Sequence, residues 1–192
     1  MLNFFSWFLV PFLTVCIAGT GDWTKTNFSV EGSRPPGQLF LILWGLTAGG
    51  HFYLLLRRTM EVMPESFSGK KPVRTARICG LLLAVSVLLP YLPEQAPFAA
   101  AVHVACAFLA SAVLYLLLVF LAFRMYFTDP DRWRLRTAVL LSALPVCLAL
   151  FLQAQGIISS SLEVFFTIFC CIWLNRFYHA LRRSGLFPFP QP

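Results

Sequence analysis

Charge is what this sequence has least of. Lysine, arginine, aspartate and glutamate make up 12% of its 192 residues, about half the share of a soluble domain. That shortage excludes a water-soluble globular chain. Acids are scarcest, eight against fifteen basic residues. In a soluble protein the net +7 would point to nucleic acid; here its placement along the chain gives it another meaning, and no nucleic-acid partner is expected. Histidine occurs three times and never in H-E-x-x-H, so no zinc-hydrolase helix is encoded. A G-x-S-x-G nucleophile elbow is missing as well. The six cysteines, Cys16, Cys79, Cys106, Cys147, Cys170 and Cys171, show no C-x-x-C spacing and lie in or beside apolar runs. They read as small core residues, with no disulfide, metal site or cofactor expected.

What fills the space is apolar. Hydrophobic residues make up 58% of the chain, with twenty Phe and five Trp, and mean hydropathy is +0.74. A membrane-crossing helix needs about 20 mostly apolar residues. Six runs come near that, at approximately 3–19, 38–56, 76–92, 98–123, 137–154 and 159–180. Pro11 and Pro145 fall inside two of them, where a proline kinks a membrane helix more readily than it ends one. The expectation is an all-α integral membrane protein, one six-transmembrane-helix bundle over residues 1–192. The first run reads as a retained helix. Its leading "MLN" has no Lys or Arg, no A-x-A site follows, and Val15 is bulky where a lipoprotein box before Cys16 needs a small residue.

Basic residues set the orientation. Arg57, Arg58, Lys70, Lys71, Arg74, Arg77, Arg124, Arg132, Arg134, Arg136, Arg176, Arg182 and Arg183 fall on one side of such a bundle, and only Lys25 and Arg34 on the other. The positive-inside rule puts the first set in the cytoplasm. Both termini are then cytoplasmic, and residues 20–37 form an extracytoplasmic loop. The cytoplasmic charge suits anionic lipid, at about 1 kcal/mol per basic residue near the surface, and a protein partner could also meet these basic loops. Within the outer loop Trp23, Phe28 and Val30 alternate with polar residues, so an ordered cover is expected, with the next helix starting near Gly37 or Gln38 after Pro35 and Pro36.

Ionisable residues inside spans are rare enough to be functional candidates by default. His103 and Glu163 each lie about four residues into a run entered from the outer face, roughly 6 Å deep. Glu163 starts a stripe with Thr167, Cys170 and Cys171; His103 shares half a helical wheel with Ser111 and Tyr115. Gln153 and Gln155 end the fifth run, which makes the outer half of the bundle look polar inside. Three readings follow: a satisfied interhelical network, a site for a ligand or lipid headgroup, and catalysis or metal binding. Gly45 and Gly49 form a G-x-x-x-G that permits close packing inside the bundle. His51 and His179 lie toward the cytoplasmic side, in local roles. Asn27-Phe28-Ser29 is formally an N-glycosylation acceptor.

In the order of its features the chain resembles the Frag/DRAM/Sfk superfamily of six-helix membrane proteins, and more closely its bacterial relatives. The residues are "DWTKTNFSVEGSRPPGQLFLILWG", "LPYLPEQAPFAAAVHVACAFLASAVLY" and "SSSLEVFFTIF". By that likeness Asp22, Asn27, Ser29, Glu94, His103, Tyr115 and Glu163 occupy family-like positions. The resemblance implies a bacterial plasma membrane and dealings with membrane lipids, without establishing a reaction. The expectation is a protein that binds a lipid headgroup or small amphiphile in a polar pocket open to the outer leaflet. The candidate contacts are His103, Glu163, Asp22, Ser29, Glu94 and Tyr115. One alternative is a lipid-modifying enzyme with His103 as base and a carboxylate orienting it, for which no nucleophile is evident near His103. The other is a structural or partner-binding subunit.

Overall fold

A computed structural model describes residues 1–33, 36–63 and 70–184. Its elements are all helical among those residues: α1 (Leu2–Ala18), α2 (Phe28–Gly32), α3 (Gly37–Val62), α4 (Lys70–Leu88), α5 (Pro97–Thr128), α6 (Pro130–Gln153) and α7 (Ser160–Ser184). Four of them, α3, α5, α6 and α7, are long and apolar enough to cross a membrane. The chain is thus an all-helical protein of multi-pass membrane character. α1 is apolar but shorter, and α4 carries Lys71, Arg74 and Arg77 in its first half.

Local chemistry explains the boundaries. α1 widens into a π turn over Phe5–Leu9, next to Pro11, which has no amide to offer a regular ladder. α4 stops at Leu88 rather than near 92, because Leu89 precedes Pro90 and is steered out of the helical region. α5 and α6 each open with a proline in the first turn, where its missing N–H costs nothing. Between them only Asp129 is left, and its carboxylate caps α6 by accepting from the Arg132 amide at 3.2 Å. The Arg132 guanidinium then donates to the Ser184 and Arg183 carbonyls, so the start of α6 satisfies the end of α7.

The six helices other than α2 pack as a closed ring in the order α1, α3, α4, α5, α6, α7 and back to α1, and α7 also leans across to α3. The larger core lies toward the basic end of the bundle, where Leu118, Leu121, Met125, Trp133 and Leu174 are sealed. Trp173 stacks on Phe177 at 4.8 Å. A second, smaller core of Ile17, Ala18, Phe28, Leu41 and Val87 lies at the other end, under the loop that follows α1. The outer surface of the ring is apolar, with Phe12, Leu81, Leu116 and Leu144 among many exposed large side chains, as a lipid-facing belt requires. Gly45 and Gly49 face α4, where an added Cβ would meet Val87 at 2.6 Å and Leu83 at 3.0 Å. Their motif serves packing within the chain.

Candidate functional site

The loop after α1 folds into a lid. Gly19 turns the chain at φ 68°, a conformation that a side chain would strain, and the Trp23 indole donates back to the Gly19 carbonyl at 3.0 Å. Asn27 then caps α2, its side-chain oxygen accepting from the Val30 amide at 2.9 Å. That single turn carries Phe28 inward, 3% exposed, onto the Trp44 ring of α3 with centroids 5.2 Å apart. α7 receives the lid edge-on. The Ser160 amide donates to the Thr26 carbonyl at 2.7 Å and the Ser161 amide to the Trp23 carbonyl at 3.1 Å. Amides left open at a helix start are thereby satisfied by loop carbonyls. Arg34 and Pro35 lie outside the described residues.

His103 and Glu163 are both used by this lid, through neighbouring residues. The Glu163 Oε2 accepts from the Phe28 amide at 2.7 Å. The Ser29 hydroxyl lies 2.7 Å from His103 Nε2, and His103 Nδ1 lies 2.9 Å from the Leu89 carbonyl oxygen. A carbonyl can only accept, so Nδ1 carries a proton, and in the neutral imidazole Nε2 is then the acceptor for the Ser29 hydroxyl. The ring is 3% exposed and packs against Tyr91, centroids 5.7 Å apart. His103 thus joins α5, the segment after α4, and the lid. The two residues are joined through adjacent lid residues, Phe28 and Ser29, and not by direct contact.

The other candidates lie apart from this pair. Asp22 binds its own turn: it accepts from the Thr24 hydroxyl at 2.6 Å and the Thr24 amide at 3.0 Å, with the Lys25 ammonium 3.2 Å away. These partners, the Thr24 hydroxyl foremost, pull its carboxyl down to about 2 from an ordinary 3.8. Glu94 is exposed in the turn between α4 and α5. Tyr115 is twelve residues along α5 from His103, about 18 Å, and donates to the Leu140 carbonyl at 3.0 Å. It fastens α5 to α6. Gln153 and Gln155 are exposed, which corrects the picture of a polar interior in the half of the bundle near the lid. All four buried residues of α6, Trp133, Thr137, Leu140 and Ala143, precede Pro145, and beyond it the side chains of that helix are half-buried or exposed.

Between α3, α4, α5 and α7 lies a partly open apolar cavity of about 60 Å³. Trp44, Phe52, Cys79, Leu83, Leu114 and Thr167 are among its walls. Trp44 is shared between its wall and the seat of Phe28. The sequence did not single out this space, because its walls are the same apolar residue types that face lipid. A second polar seam was also missed. The Ser6 hydroxyl meets His51 Nε2 at 2.8 Å in the π turn of α1, and Phe5 stacks on the same imidazole at 5.6 Å. Nearer the basic end the Asn3 side-chain oxygen accepts from Asn175 at 3.2 Å and from His179 at 2.7 Å. These bonds hold α1 against α3 and α7, giving the two histidines structural partners. All six cysteines are free, and no group of three or more metal-ligating side chains converges among the described residues.

The chain matches no protein-family model, no curated protein and no solved structure.

Proposed function

We propose that this is a six-crossing membrane protein, both termini on the cytoplasmic side, that binds the headgroup of a lipid or a small amphiphile at its outer face. Six crossings are favoured by the closed ring, in which α1 and α4 each take a full place between longer neighbours. The orientation is favoured by thirteen basic residues at one end against two at the other. A bacterial plasma membrane and kinship with the Frag/DRAM/Sfk proteins belong to the same reading. They rest on the three quoted stretches alone.

One observation carries the binding proposal: an ordered polar lid is tied down through Ser29–His103 and Phe28–Glu163, and its Phe28 ring seats on Trp44, which also lines an apolar cavity. A polar rim beside an apolar space suits an amphiphile. The headgroup would meet the Ser29–His103 edge of the lid. Tyr115 leaves the candidate set because of its distance. Native mass spectrometry of the protein released from its own membrane tests the proposal. A retained lipid that is lost on Ser29→Ala, with folding intact, is the expected result. Only loosely bound detergent, unchanged by the substitution, would refute it. Tags at residues 1 and 192 should report the same side of the membrane; opposite sides would overturn the crossing number.

A further inference from the structure

We propose that Ser29 and His103 are a nucleophile–base pair that cleaves or transfers an acyl ester at the outer surface of the membrane. The two residues are 74 positions apart and meet only because α2 folds back over α5. Serine becomes a useful nucleophile when a base sits within hydrogen-bond reach and a third group orients that base. Here the separation of Ser29 Oγ from Nε2 is 2.7 Å. The third group is the Leu89 carbonyl, 2.9 Å from Nδ1, in the place where many such triads use a carboxylate. It fixes the tautomer that a general base needs, with the lone pair on Nε2 and aimed at the serine. The Tyr91 ring lies against the imidazole and keeps it from turning away. With Nδ1–H committed to that carbonyl, Nε2 of the neutral ring is the nitrogen that can draw a proton off Ser29.

Location selects the substrate class. Ser29 is partly exposed at the outer end of the bundle, while the neighbouring Phe28 ring seats on Trp44, a wall of the apolar cavity. An ester at the headgroup level of a lipid would reach Ser29 with its acyl tail still in apolar surroundings. In the first step Oγ bonds to the ester carbonyl carbon while its proton passes to Nε2. The tetrahedral intermediate collapses by breaking the bond to the alcohol oxygen, and the alcohol leaves with the proton from Nε2. Water, or the hydroxyl of a second lipid, then attacks the acyl-Ser29 ester and gives its proton to Nε2. Ser29 Oγ departs and takes that proton back, releasing a carboxylic acid or a new ester. The substrate class rests on the binding reading above; the activated serine does not.

The test uses the full chain in detergent and a fluorophosphonate probe with a short alkyl chain, read by intact mass and peptide mapping. The folded protein should gain one adduct, on Ser29, and the heat-denatured protein none. Ser29→Ala should abolish the adduct. His103→Gln should slow it at least about a hundredfold, the usual share of a general base. Absence of an adduct on Ser29 in the folded wild-type protein overturns the proposal, even if a variant fails to fold. Labelling that survives heat denaturation, or that proceeds unchanged in a folded His103→Gln, overturns it equally. A retained lipid with an inert Ser29 would leave binding and remove the chemistry. A labelled Ser29 with no retained lipid would do the reverse.

Discussion

Replacing Glu163 with alanine should loosen the lid and leave the bundle folded. Glu163 accepts the Phe28 amide at 2.7 Å, and among the described residues no other acceptor meets that amide. Losing such a bond while the amide stays inside costs about 1–3 kcal/mol. The remaining attachments persist: the Ser160 and Ser161 amides on the Thr26 and Trp23 carbonyls, the Ser29–His103 bond, and the buried Phe28 ring, worth about 1.5–3 kcal/mol. The lid should therefore open more often without detaching. At a factor of ten per 1.4 kcal/mol, the opening equilibrium should rise roughly 5- to 150-fold. Hydrogen–deuterium exchange of the protein in lipid nanodiscs reads this directly. Peptides covering residues 22–33 should exchange faster by that factor, while those covering 170–181 in the larger core stay as protected as before. Unchanged lid exchange would mean that Glu163 does not hold Phe28. Equal acceleration in both regions would mean that the lid and the bundle open as one unit, and the argument would fail.

Gly45→Ala and Gly50→Ala should move stability in opposite directions. At Gly45 the new methyl would sit 2.6 Å from Val87 and cost about 1–3 kcal/mol through overpacking, whereas at Gly50 it meets nothing within 4 Å and gains up to about 1 kcal/mol of helix propensity. Thermal unfolding in the same detergent separates the two, and a shared sign would contradict the α3–α4 packing. Tyr115→Phe removes one bond to Leu140 and should cost only about 0.6–1.7 kcal/mol, with lipid retention and Ser29 labelling unaltered. A loss of either readout would put Tyr115 back in the site. The Asp22 carboxyl, held down by Thr24 and then by Lys25, should titrate near 2 instead of 3.8. Because folding lowers it, its contribution to the turn is complete above the ordinary carboxylate range and disappears as pH falls through about 2. A carbon-13 titration of the labelled side chain checks this, and a midpoint near 3.8 would show that the turn is not formed.

Helical class and membrane character were legible in residue composition alone, because a lipid environment demands apolar length and internally satisfied backbone. Helix positions were legible to within a few residues at Pro97 and Ser160, whereas α6 starts at Pro130, seven residues before the expected 137. The basic helix extensions, such as α5 running on to Thr128, were not legible, since hydropathy ends before the helix does. His103 and Glu163 could be singled out as ionisable residues inside apolar runs, because such residues are rare there. Rotation and pairing were not legible. In lipid the outward and inward faces of a helix are both apolar, so hydrophobic periodicity does not say which face turns in. Nothing in the spacing of Gln153 and Gln155 could show that α6 buries no side chain beyond Pro145. For the same reason the walls of the cavity looked like any lipid-facing surface. Ser29 reached His103 and Ser6 reached His51 because of how the lid and α1 lie against the ring. Those contacts join residues 45 to 74 positions apart, and only the tertiary packing brings such distant parts of the chain within hydrogen-bonding distance.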